Sequence, residues 1–209
     1  TLAPWRQRVE LVHADFRCLD DVLGERGIAT IDGALADLGM SSFQLNSEGR
    51  GFSFKRDEPL DMRMDRSTGW TAADVLRDAS ETALADLIFR YGEDRYARRI
   101  ARAVVRSRDR RPLTSTGQLA AVVRGAVPRR GRQRIDPATR TFQALRIWVN
   151  RELEGLDTFL LALSRRLRAG ARLGIITFHS LEDRIVKYAF RGMERGSDAV
   201  VHVLTKRPL

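Results

Sequence analysis

Short apolar runs bounded by polar or glycine positions alternate along the chain with stretches whose apolar residues recur every three to four positions. The run from Ile31 to Leu38, "IDGALADL", is short, apolar and bounded by glycines, so it reads as a buried strand whose carboxyl end falls near Asp37. The segments "RVELVHADF" (Arg8 to Phe16), "ARLGIITF" (Ala171 to Phe178) and "AVVHVLTKRP" carry strand signals as well. A short helix is expected from Cys18 to Arg26, a long helical pattern runs from Pro137 to Arg168, and another helix begins at "HSLEDRIVKYAFR", with Ser180 and Asp183 as a capping box. Strands and helices alternating at both ends predict an α/β fold with a mostly parallel sheet.

The middle of the chain carries no strand pattern. "TAADVLRDA", "SETALADLIFRYG", "DRYARRIARAVVRSR" and "STGQLAAVVRGAV" are amphipathic, opened by Thr71, Ser80, Asp94 and Ser115, and predict an all-helical insertion. The expected division is therefore 1–68 and 136–209 for the two parts of the α/β core and 69–135 for the helical insertion.

Charge sharpens that picture. The formal net charge of the 209 residues is +10, and from Gly69 to Ile135 fifteen arginines face seven acids. In the third helical pattern Arg95, Arg98, Arg99, Arg102 and Arg106 share one face, and Tyr96, Ile100, Ala103 and Val104 fall on another. A second basic cluster, "PRRGRQR" from Pro128 to Arg134, is punctuated by proline and glycine and reads as a loop. The arginine face is either a solvated surface or one half of a polyanion site, and the second cluster favours the polyanion. Only three basic residues are lysines, a bias that arginine codon usage explains as well as phosphate recognition does.

Composition excludes several classes. No apolar stretch is long enough to span a bilayer and no signal-peptide pattern is present, so a soluble, cytoplasmic protein is expected, with no membrane partner. The single cysteine, Cys18, makes no internal disulfide, and His13, His179 and His202 lack metal-ligand spacing, so no metal is expected. There is no phosphate-binding glycine loop followed by lysine, and Ser41 and Ser42 lack the hydrolase elbow. What remains is ligand binding at strand ends: Asp37 with Ser41, Ser42 and Gln44 after one strand, and His179 with Ser180 after another. For Asp37 the bland alternative is a carboxylate that caps the next turn, and for His179 and Ser180 it is a helix N-cap.

The stretches "DLGMSSFQLN", "RGFSF", "PLDMRMD", "YGEDRYARRIARAVV", "TRTFQALRIWVNRELE" and "FHSLEDRIVK" together resemble the bacterial 16S ribosomal RNA cytosine-N4 methyltransferase family, from about Val9 to Lys187. That resemblance implies a Rossmann-like S-adenosylmethionine-dependent core interrupted by a helical substrate-recognition domain, methylating a cytidine in the decoding region of 16S rRNA in the small ribosomal subunit. It places S-adenosyl-L-methionine against Phe16, Asp37 and Gln44, with Phe16 on the adenine and Asp37 near the target amine. Asp37 is then the candidate catalytic acceptor, and Ser41, Ser42, His179 and the five arginines are candidate RNA contacts.

The chain also departs from the family pattern. The family's glycine-rich first loop, its acidic ribose-binding motif and its basic C-terminal tail do not occur in this sequence, Asn46 stands where the family has aspartate, and "HADF" replaces His-Gly-x-Phe. The isolated 209 residues are therefore expected to bind the cofactor weakly and to be inactive alone. For the open edge expected beside the Asp37 strand, either other residues of the parent protein fill the gap, or the 209 residues form a homodimer, rearrange, or leave their first segment poorly ordered. The competing readings are a non-catalytic rRNA-binding module and a DNA amino-methyltransferase, the latter expected to carry a Pro-Pro-aromatic motif where "DLGMSS" stands.

Overall fold

The computed structural model describes residues 3–5, 7–67, 69–128, 135–195 and 199–205. In chain order the elements are α1 (Leu19–Glu25), β1 (Ile31–Asp37), α2 (Ser42–Asn46), α3 (Ala72–Asp78), α4 (Glu81–Gly92), α5 (Ala97–Arg108), α6 (Thr116–Ala126), α7 (Ala138–Asn150), α8 (Leu156–Arg166), β2 (Leu167–Ile176) and α9 (Ser180–Glu194). The fold is mixed α/β, and the chain separates into two compact units, 1–38 with 153–209, and 39–152. No helix among the described residues is long and apolar enough to cross a membrane.

The first unit holds the sheet. β1 and β2 pair in parallel, Gly33 to Asp37 opposite Arg172 to Ile176, with an irregularity between Ile31 and Gly33. Leu156, Phe159, Leu160 and Leu163 of α8 and Val186 of α9 form its core, against which Leu19, Ile31, Ala34, Ala36 and Ile175 pack. Alternation along a strand sends Leu35 and Asp37 to the other face, and Leu35 is largely exposed there.

The segments "RVELVHADF" and "AVVHVLTKRP", expected as strands, form none among the described residues. Val9, Leu11 and Val12 are exposed, because a β pattern becomes a strand only where a neighbour accepts its backbone groups. The helical pattern from Pro137 to Arg168 is two helices. Arg151 turns to φ 51° at the end of α7 and Gly155 to φ 68° before α8, which breaks the backbone ladder that the side-chain periodicity suggested.

The second unit is helical, and its caps explain where its helices start. Thr71, Ser80 and Ser115 accept the backbone N–H groups of Asp74, Ala83 and Gln118 at 3.1, 3.1 and 3.4 Å, as expected. Asp94 accepts from Tyr96 N at 2.8 Å and leads into α5. Leu60, Leu76, Leu84, Ile88, Ile100, Leu119 and Leu145 are fully buried in one core, and each such side chain contributes on the order of 1.5–3 kcal/mol by leaving water. Arg108 spans α5 and α3 by donating to the carbonyls of Leu76 and Ala79, both at 2.6 Å.

The loop "PLDMRMD" is fixed by polar groups. Asp61 accepts from Arg63 Nε at 2.7 Å and from Arg66 Nε at 3.1 Å, and Asn150 ties Met62 O and Met64 N at 2.8 and 2.6 Å. Burial raises the Asp61 carboxyl, but its bonds to Arg63 and Arg66 outweigh this and hold it below the usual carboxylate range. A lowered pKa means that the stabilisation is complete above the unfolded value of about 3.9 and is lost as pH falls through the lower folded value. Asp61→Asn is therefore expected to destabilise the protein by about 2 kcal/mol at neutral pH, below the value for a fully buried pair because Arg66 is half exposed. Thermal unfolding of both proteins at pH 7 and pH 3 checks this: the gap should narrow at the lower pH, and a constant gap contradicts it.

Candidate functional site

In an open parallel sheet, ligands sit beyond the carboxyl ends of the strands. The register places Asp37 of β1 beside Ile176 of β2, and Leu38 N donates to Ile176 O at 3.1 Å, so both strands end on one edge. Asp37 is exposed, and its carboxylate has no hydrogen bond or ion pair among the described residues. The turn-capping alternative is therefore not what the structure shows. Gly39, at φ 82°, makes the turn through backbone freedom instead.

Beyond β2 the chain turns into α9. His179 is the N-cap, one residue earlier than the expected Ser180. Its Nδ1 accepts the Glu182 N–H at 3.3 Å, so that nitrogen serves as the cap through its lone pair. Nε2 lies 3.2 Å from Glu182 Oε1 but is not aligned with it as a hydrogen bond. Glu182 is buried, and its Oε2 accepts the Phe178 N–H at 2.8 Å. This carboxylate was not singled out in the sequence, although His179 and Glu182 stand at capping-box spacing. The imidazole is only 8% exposed, so it holds the strand-to-helix turn and offers little surface to a ligand.

Phe16 belongs to the same unit. It is half-buried and meets Phe159 edge-on at 5.1 Å between ring centroids, at the margin of the core that covers the sheet. Ser41 and Gln44 belong to the other unit, where they form the capping box of α2. Ser41 Oγ accepts Gln44 N at 3.2 Å, and Gln44 Oε1 accepts Ser41 N at 3.0 Å. Ser42 is the first residue of α2, and its side chain lies outside the described residues.

The arginine face exists as a surface. Arg95 precedes α5, with its guanidinium 4.7 Å from the centre of the Tyr96 ring, and Arg98, Arg99, Arg102 and Arg106 lie along the helix, all exposed. Ala97, Ile100, Ala101 and Val104 fill the buried side. Arg102 reaches Glu81 at 3.4 Å, while Arg98, Arg99 and Arg106 have no partner among the described residues. Of "PRRGRQR", residues 129–134 lie outside the described residues. The sequence also gave no signal for a cavity of about 240 Å³ in the helical unit, lined by Trp70, Val75, Asp78, Ala79, Leu87 and Trp148 among others.

The model of the MraW methylase family matches residues 1–206. The ribosomal RNA small subunit methyltransferase H of Geotalea uraniireducens is 53% identical over 196 residues, covering 93% of this chain and 63% of that protein. The protein of the same name from Syntrophotalea carbinolica is 54% identical over 191 residues, covering 91% and 61%. That from Nitrosospira multiformis is 52% identical over 186 residues, covering 88% and 59%. The chain thus spans about three-fifths of the length of the curated relatives it matches. With the family match running through 1–206 and about half of the aligned residues identical to each relative, the chain belongs to the MraW methylase family.

Proposed function

We propose that this chain forms most of a ribosomal RNA methyltransferase that transfers a methyl group from S-adenosyl-L-methionine to the N4 amine of a cytidine in the 16S rRNA of the small subunit. The observation that carries the reading is Asp37, a carboxylate without a partner among the described residues, at the carboxyl edge of a parallel strand pair in a chain of the MraW family. In this reading the sheet-bearing unit is a Rossmann-like core, and residues 69–135 are the substrate-recognition insertion. The names of the relatives, with their ribosomal small-subunit substrate, support the choice of RNA.

The residues present fit the cofactor's chemistry. A half-buried aromatic ring, Phe16, suits adenine, and an unpaired carboxylate suits the neighbourhood of a sulfonium. Gln44, in the other unit, has its oxygen on the cap of α2 and keeps its amide N–H₂ to offer a ligand. S-adenosylmethionine, when bound, supplies the electrophilic methyl group.

The chain's own task is to prepare the amine. A cytosine exocyclic amine is a weak nucleophile because its lone pair is delocalised into the ring. Asp37 accepts a hydrogen bond from one amine proton, which orients the group and stabilises the positive charge that develops on nitrogen. A stacked base reaches such an acceptor only after leaving its stack. His179 and Glu182 act by holding the neighbouring turn. The test is transfer of labelled methyl groups to small ribosomal subunits by a chain of full family length, with the product mapped by digestion and mass spectrometry. Label on N4 of a cytidine supports the reading, and label on another base or on protein overturns it.

The exposed arginines of α5 would meet the phosphates. Replacing Arg98, Arg102 and Arg106 by alanine is expected to flatten the slope of log K against log salt for single-stranded RNA by about two, since three contacts each contribute about 0.7. Filter-binding titrations between low and moderate salt measure it. An unchanged slope means that the face is solvated and nothing more.

A further inference from the structure

Trp70 and Trp148 are two of the chain's three tryptophans, and both line the cavity of the helical unit. Trp70 follows Gly69, whose φ of 79° sets it just ahead of the Thr71 cap of α3, and Trp148 is in the last turn of α7. The remaining wall comes from α3, Ala79 and, on α4, Ala83 and Leu87. Trp70 is 55% exposed and Trp148 39%, although the core of the unit beside them, Leu76, Leu84 and Ile88 included, is fully buried. Each indole thus keeps a large apolar surface in water beside an open cavity.

The cavity of about 240 Å³ is smaller than the roughly 300–1,000 Å³ of pockets for drug-sized ligands, and it suits one planar ring. Asp78 stands in its wall with both carboxylate oxygens bonded to Arg77, each at 2.8 Å, and remains an acceptor with lone pairs to spare.

The surroundings identify the ring's source. The unit carries 23 basic against 14 acidic residues, counted over 39–152. The cationic helix α5 adjoins the cavity wall: Arg108 bonds the carbonyls of Leu76 and Ala79, and Arg102 pairs with Glu81. An exposed cationic face continuing into an aromatic cavity is the arrangement that binds single-stranded nucleic acid, with phosphates on the arginines and an unstacked base on an aromatic ring.

We propose that the Trp70–Trp148 cavity takes one unpaired nucleobase of the RNA whose phosphates lie along α5, and that Asp78 favours bases bearing an exocyclic amine. This rests on the RNA-binding reading above and adds to it a base-binding site apart from Asp37. A carboxylate only accepts, so cytosine, adenine and guanine offer it an exocyclic amine with two N–H donors, while uracil offers it a single ring N3–H.

The probe is single-stranded RNA of mixed cytidine and adenosine, titrated into the chain carrying Trp5→Phe so that only the two cavity indoles fluoresce. Binding should quench their emission. Trp148→Leu, which keeps an apolar filling but loses the π face, should weaken binding about tenfold or more, while Trp148→Phe should retain most of it. Neither change should alter the salt slope, because the indole is neutral. Uridine-only RNA of equal length should bind more weakly than the mixed RNA. Equal affinity of the Leu and Phe variants for RNA that the parent binds would overturn the cavity's role while leaving RNA binding by α5 intact. Loss of self-association in the Leu variant, with RNA affinity unchanged, would overturn it in favour of a second copy of the chain. Failure of the parent to bind any RNA would overturn the RNA reading itself.

Discussion

Asp37→Asn is expected to lower methyl transfer by about 100-fold or more while leaving the fold intact. The amide has the shape of the carboxylate but carries no charge, so it neither stabilises the cationic nitrogen that forms during transfer nor complements a sulfonium nearby. Stability should be spared because Asp37 is exposed and has no hydrogen bond or ion pair among the described residues. The measurement is single-turnover methylation of small subunits by a chain of full family length, paired with thermal unfolding of the same variant. Turnover near that of the parent would remove Asp37 from the mechanism. A large fall in melting temperature would return the residue to a structural role that the hydrogen bonding does not show. Because Asp37 lies on the face of β1 away from α8 and α9, its environment is set by the sheet edge and not by the core.

Legibility in the sequence follows the range of the interaction involved. Thr71, Ser80 and Ser115 were readable as caps because the bond closes within three residues, and all three make it. The strand from Ile31 was readable because its apolar run and glycine boundary are local, and the structure ends it at Asp37. None of its residues is buried as the apolar run suggested, since burial depends on what packs on the sheet. The segment from Arg8 to Phe16 carried the same local signal, yet no described segment pairs with it, and pairing is a long-range property that one sequence does not encode locally.

The candidate site divides in the same way. Asp37 and the arginines of α5 were legible from strand end and helical spacing, and the structure leaves all of them exposed. Ser41, Gln44 and His179 were legible as polar groups after strands, but their bonds are spent on the caps of α2 and α9, which a list of residue types does not reveal. The shift of the α9 cap from Ser180 to His179 is of this kind: an imidazole nitrogen accepts a backbone N–H as a hydroxyl does, and Glu182 is buried with it. Trp70 and Trp148 stand 78 positions apart in the chain, and only the packing of α3 against α7 brings them to one cavity.

Gly51→Ala is expected to destabilise the helical unit by about 3 kcal/mol or more. At φ +70° an alanine is strained, and its Cβ would lie 2.3 Å from Pro59 O, 2.9 Å from Asp61 N and 3.3 Å from Leu60 Cα. All three are backbone atoms, so no side-chain rotation relieves the clash and the Pro59–Asp61 segment has to move. That segment is pinned on both sides: Leu60 N donates to Thr114 O at 3.0 Å, Thr116 N to Glu58 O at 2.8 Å, and Ala72 N and Ala73 N to Asp61 O and Leu60 O at 2.8 and 2.9 Å. Moving it disturbs the starts of α3 and α6 together, where overpacking of about 1–3 kcal/mol adds to the cost of the left-handed backbone. Gly49→Ala supplies the comparison, since Gly49 has the same φ of +70° with nothing within 4 Å of an added Cβ, and it should lose only about 1 kcal/mol. Thermal unfolding of the two variants, with hydrogen exchange at the amides of Leu60, Ala72 and Ala73, separates steric from conformational cost. Equal losses in the two proteins would show that the Pro59 carbonyl yields and that the close approach at Gly51 is not what fixes the loop.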